Sequence, residues 1–196
     1  MIPRYTIQQG LPVRLTAEAA QLYWQAFGGK LGLVLGPEPH ALAYLQRVIR
    51  PDHVLVALSD AGHLLGLAGF KTPNASFVAG GVADLRESYG LIGGTWRARL
   101  LGWLSQEVDN ENFLLDGLCV APEYRGLGLG SALMAAISSE AEARGYASVR
   151  LDVVDNNWRA MALYRRLGFV ETQRQSIGLL RHVFGFNTAI TMVRQI

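Results

Sequence analysis

The sequence has little of what usually assigns a protein quickly. Its 196 residues hold one cysteine, Cys119, which excludes an internal disulfide framework and a cysteine-built zinc site. Charged residues make up only 17% and the formal net charge is +2, too little to point to a nucleic-acid partner. Lysine is nearly absent: Lys30 and Lys71 are the only two, and the arginines are scattered, with Arg165-Arg166 the only adjacent pair. No polybasic patch results. His40, His53, His63 and His182 lie far apart and show no ligand-pair spacing. The longest apolar run, Leu64 to Phe70, is too short for a membrane span and contains two glycines. The opening residues lack the apolar core of a signal peptide. The expectation is a cytoplasmic protein with no metal, no nucleic-acid partner and no membrane association.

Half of the residues are hydrophobic, enough to bury a sizeable core. There is no internal repeat and no Pro/Ser linker, so residues 1–196 read as one domain. Tyr5 to Gln8 reads as a first strand. Thr16 opens a helix expected to end at Gly28-Gly29, and Pro37-Glu38-Pro39 opens another, with Ala41, Leu45 and Val48 on one face. The stretches 53–59 and 63–71 read as a hairpin across Asp60-Ala61-Gly62. Between Gly80 and Gln106 two helices are expected, 82–89 and 95–106, divided at Gly93-Gly94. Then come a strand over 112–120, a glycine-rich turn, a helix over 131–143, a strand over 148–154 and a short helix over 159–167 closed by Gly168. Val170 and the stretch 187–193 supply the last strands. Strand, loop, helix and strand from 112 to 154 form a right-handed crossover between parallel strands.

The sharpest local feature is Val120-Ala121-Pro122-Glu123-Tyr124-Arg125-Gly126-Leu127-Gly128-Leu129-Gly130-Ser131, set between a strand and a helix. Unpaired N–H groups at a helix start, with glycines that let the chain approach closely, suit a phosphate. A P-loop would need a Lys that is missing. A dinucleotide fingerprint would need Gly where Ser131 stands. The pattern Arg-x-x-Gly-x-Gly is met by Arg125, Gly128 and Gly130. A second motif follows, Asn-x-x-Ala-x-x-Leu-Tyr-x-x-x-Gly-Phe, running from Asn157 to Phe169.

These two motifs, in this order and with a helix and strand between them, resemble the GNAT superfamily of N-acetyltransferases over about residues 112–170. The resemblance implies a mixed α/β fold: a largely antiparallel sheet with a central, splayed parallel strand pair and flanking helices. It also implies acetyl-CoA as cosubstrate, no metal, and direct transfer of the acetyl group to a primary amine in a ternary complex. Its pyrophosphate site maps to Arg125, Gly126, Leu127, Gly128, Leu129, Gly130 and Ser131. Leu118, Cys119 and Val120 would pair with the pantetheine arm by main-chain hydrogen bonds, an amide near Cys119 or Val120 polarising the thioester. Asn157 would bind the CoA arm, leaving Asn156 to cap the helix. Tyr164 would touch CoA and protonate the departing thiolate.

A neutral amine requires a base, because an alkyl ammonium cannot attack. Asp152 stands five residues before Asn157, where some family members carry a basic carboxylate. Asp116 shares strand parity with Leu118 and Val120. The segment at about 80–107 is longer than the fold requires and reads as a helical insert able to line the acceptor pocket or make a homodimer contact. The acceptor stays open between small amines and peptide amines. Two other readings remain: a CoA-binding regulatory module without turnover, and a different nucleotide-binding α/β protein.

Overall fold

The computed structural model describes residues 3–104 and 111–196. Its frame is an eight-stranded sheet. The strands are β1 (Tyr5–Gln9), β2 (Val54–Ser59), β3 (Leu64–Thr72), β4 (Ala75–Ser76), β5 (Phe113–Val120), β6 (Ser148–Val154), β7 (Val170–Ser176) and β8 (Thr188–Gln195). They lie in the order β1-β2-β3-β5-β6-β8-β7, with β4 attached to β3. Every pairing is antiparallel except β5 with β6.

Helices cover both faces, and the alternation of β2 shows why. Val54 and Val56 face a core built with α1 (Thr16–Leu35) and α2 (Glu38–Val48), through Ala19, Leu22 and Leu45, with Leu15 just before α1. Leu55 and Ala57 face the opposite core, built with α4 (Leu129–Ala143) through Leu133, Met134 and Ile137. With apolar groups on both faces the strand reads as a continuous apolar run. The second core also takes in Tyr164 of α5 (Trp158–Arg166). On the first face, a small cluster joins Val34 to Phe184 of α6 (Arg181–Phe184) and to Phe186.

Two expected helix ends fall elsewhere. Helix α1 does not stop at Gly28-Gly29 but runs on to Leu35. Tertiary packing overrides the glycine penalty of about 1 kcal/mol each, because Val34 and Leu35 are buried beyond the pair. Helix α3 (Val82–Leu104) breaks at Gly90 (φ 76°, ψ 169°), not at Gly93-Gly94. Gly94 is needed for a different reason: a Cβ there would lie 2.4 Å from the Arg86 backbone, where the two halves of the helix meet. Residues 105–107 of the expected insert lie outside the described residues. Arg97 ties α3 to α1, its Nε donating to the Val34 carbonyl at 2.6 Å.

The sheet opens at its centre. β5 and β6 pair only at Phe113↔Val149 and Leu114↔Arg150, although both strands continue for several residues. The β3–β5 register also shifts: Gly69 faces Gly117 while Phe70 faces Leu115, so Asp116 is an extra residue in β5. A bulge of this kind bends and twists its strand, and it lies just where β5 leaves β6.

Candidate active site

Beyond Leu114, the β5 edge that faces β6 has no strand partner among the described residues. Ala121 N–H donates to the Leu65 carbonyl at 3.0 Å. Antiparallel ladders alternate, so Cys119 and Gly117 also turn their main-chain groups toward β3. The N–H and C=O of Leu118 and Val120 therefore face the gap. Arg125 crosses the end of this edge, its Nε donating to the Val120 carbonyl at 2.9 Å.

At the wide end of the gap lies the loop before α4. A short turn of helix, Pro122–Tyr124, is followed by Arg125 in an extended conformation. Gly126 and Gly128 have φ of 76° and 88°, which other residues adopt only at a cost. A Cβ at either would meet nothing within 4 Å. The backbone conformation, rather than crowding by the protein, is what asks for glycine. No side chain caps α4, and its ladder begins with Ala132 N–H bonding the Gly128 carbonyl. The N–H groups of Leu129, Gly130 and Ser131 thus form an open donor set at the positive end of a 15-residue helix. Gly130 lies against Leu163, so α4 and α5 approach closely beside this site. A pyrophosphate fits this donor set in charge and shape.

Tyr164 is 6% exposed, packs on Phe169 at 5.9 Å between ring centroids, and has its phenol pushed above the usual value by burial and then by Cys119. The phenol is therefore protonated at neutral pH. Asn157, not Asn156, caps α5: its side chain accepts from Ala160 N–H at 3.3 Å. Asn156 instead donates to the Gly185 carbonyl at 2.9 Å. The exchange follows from position, since only a residue immediately before the first helical turn can reach its N–H groups.

On the opposite face, a cavity of about 380 Å³ opens beside the gap. Asp116 and Asp152 both line it. The strand parity expected for Asp116 is overturned by the bulge. Leu118 and Val120 belong to the α4 core, whereas Asp116 accepts from Val78 N–H at 3.2 Å on the α1 face. There a Cβ on Gly117 would lie 3.2 Å from the Phe27 ring and 3.3 Å from the Tyr23 ring. Burial raises the Asp116 carboxyl above the ordinary range, against the lowering pull of the Val78 bond and Lys71. Asp152 alternates with Leu151 and Val153 of the α4 core and so also faces α1. It accepts from Thr191 Oγ1 at 2.6 Å and lies 3.7 Å from Arg150 Nη2. The buried phenol and the two carboxylates thus sit on opposite faces of the sheet at one gap.

The cavity wall contributed by α1 is not foreseen from the sequence. Tyr23, Phe27 and Lys30 all line it. Their spacing of four and three marks one helix face, a signal hidden by the expected stop at Gly28-Gly29. Phe184 and Phe186 come from a segment read as having no element at all. Among the described residues, no cluster of three or more His, Cys, Asp or Glu is placed to hold a metal ion.

The model of the Acetyltransferase (GNAT) family matches residues 16–169. The thialysine N-epsilon-acetyltransferase of Bos taurus is 44% identical over 57 residues, 29% of this chain and 34% of that protein. The [ribosomal protein bS18]-alanine N-acetyltransferase of Escherichia coli K12 is 35% identical over 77 residues, 39% of this chain and 52% of that protein. The chain thus spans about a third to a half of the length of the curated relatives it matches. In three dimensions, an N-acetyltransferase from Staphylococcus aureus Mu50 superposes with a TM-score of 0.64 at 14% identity, over 96% of this chain and 100% of that one.

Proposed function

The chain belongs to the acetyltransferase (GNAT) family, and on that premise we propose that it transfers the acetyl group of acetyl-CoA directly to a primary amine. The observation that carries the reading is the gap between β5 and β6, with the open edge of Leu118 and Val120 leading to the uncapped start of α4. The two relatives are named for acetylating amines, the side chain of thialysine and an alanine of a ribosomal protein.

Acetyl-CoA supplies an activated acyl thioester. The amides of 126–131 hold its pyrophosphate, with Arg125 at the rim. The main-chain groups of Leu118 and Val120 pair with the pantetheine arm as an added strand, beside Cys119, and an amide on this edge polarises the thioester carbonyl. The side-chain amide of Asn157 has N–H donors to spare after capping α5, and these meet the CoA arm. Tyr164 protonates the leaving sulfur from the α4 face. The amine enters from the α1 face, where a carboxylate takes its proton. Asp116 suits that task, because burial raises its carboxyl and makes it a more willing acceptor than an ordinary carboxylate. Asp152 is engaged by Thr191 and Arg150. Holding amine and thioester together supplies much of the remaining rate.

An acyl-enzyme on Cys119 is disfavoured, since burial pushes that thiol far up and keeps it protonated. Calorimetric titration with acetyl-CoA, with NADH and ATP as controls, tests the cosubstrate. Release of free CoA thiol across an amine panel then tests turnover. Selective binding with amine-dependent release is expected. Binding with no release on any amine would favour a regulatory CoA module.

A further inference from the structure

The chain has only two lysines, yet both line the cavity beside the gap. Lys71, on β3, lies close enough to Asp116 to lower its carboxyl pKa. Lys30 differs. Among the described residues its ammonium has no carboxylate partner; its contact is with the Phe27 ring, 6.0 Å from the centroid. It is half-buried, and burial lowers its pKa, so the cation is partly stripped of water without a counter-charge. Such a charge is costly unless an anion comes to it.

The geometry gives that anion a place. Phe27 lies against Gly117, the neighbour of Asp116, while Lys30 is one turn further along α1, about 4.5 Å of helix rise beyond Phe27. The cavity therefore has carboxylates at the gap and a cation on α1. Between and around them are the apolar surfaces of Tyr23, Phe27, Leu31, Phe184 and Phe186. That pattern is complementary to a molecule with an amine at one point, a separate carboxylate, and a hydrophobic body.

Resting on the amine-acetyltransferase reading above, we propose that the acceptor is a hydrophobic α-amino acid or a similarly short amino acid, and that Lys30 binds its carboxylate. The carboxylate at the gap takes one proton from the ammonium, and the freed amine forms the new C–N bond as the C–S bond breaks. The sulfur takes the Tyr164 proton, and the second proton shed by the nitrogen restores the phenol through solvent. Lys30 fixes which amines are presented and takes no part in bond exchange.

The test compares phenylalanine with phenylalaninamide and phenylethylamine as acceptors. The acid is expected to have at least a tenfold higher kcat/KM than either neutral analogue. Lys30→Met should collapse that ratio about tenfold through KM for the acid, and Lys30→Arg should retain it. Equal or better use of the amide, or a Lys30→Met ratio unchanged from wild type, overturns the proposal while leaving the family reading intact. If no amine is acetylated, binding of N-acetylphenylalanine and its amide to the CoA-loaded protein decides separately. Preference for the acid, lost in Lys30→Met, supports the anion site, and equal affinity overturns it.

Discussion

Two regions meet at the gap between β5 and β6, and they are built differently. On the α4 face, the loop 121–131, α4 and α5 come from one continuous stretch of chain, and the groups they offer are largely main-chain amides. On the α1 face, the cavity draws on residues from Tyr23 to Ala189, and what it offers is side chains. A backbone donor set imposes its own residue types: positive φ at Gly126 and Gly128 has to be written as glycine. A side-chain pocket imposes no such local rule. Its members need only arrive at the same place.

The sharpest way to break this contrast is to attack the backbone site. Gly128→Asp forces a side chain into a positive-φ position and brings a carboxylate to a phosphate site. Acetyl-CoA affinity should fall a thousandfold or more by calorimetry, an estimate built on the loss of charge complementarity at the helix start. Retained affinity would move the pyrophosphate elsewhere.

On the other face, Asp116→Asn should lower kcat/KM about 100-fold at neutral pH and remove the acid limb of the pH profile. The sign of its stability effect is also defined. The Asp116 carboxyl is raised in the folded protein. Its contribution is therefore present at low pH and lost as pH rises from the unfolded value, about 4, through the folded one. The wild type should lose stability relative to Asp116→Asn over that window, read by urea titrations at several pH values. An unchanged profile in an active variant would return the base role to Asp152.

Tyr164→Phe should lower kcat by about 10- to 100-fold, with a smaller change in acetyl-CoA affinity. Unchanged turnover would remove Tyr164 as the acid. The smallest effect is expected where the two roles of one residue overlap. Asn157→Ala loses the α5 cap and should cost about 1 kcal/mol of stability by denaturant titration. A stability loss with wild-type acetyl-CoA binding would leave Asn157 a cap alone.

The legibility of the two regions differs for the same reason. β6 falls where the alternation of 148–154 puts it, and Gly168 ends α5 with φ of 86°. The family resemblance rests on the glycine loop and on the motif from Asn157 to Phe169, which includes Gly168. The bulge at Asp116 leaves no trace in the apolar pattern around it, so parity groups that carboxylate with Leu118 and Val120, from which the structure separates it. The glycine pair in α1 reads locally as a stop, yet burial of Val34 and Leu35 carries the helix through it. That extension brings Lys30 to the cavity.

By itself, then, the sequence determined the sheet-and-helix class through periodicity and the glycine-led helix start through φ preferences, and its two local motifs carried the family resemblance. Tertiary structure alone decided which face Asp116 occupies, where α1 ends, and which side chains line the cavity beside the gap. Those depend on strand register and on packing between distant segments, where a one-residue shift moves a side chain across the sheet.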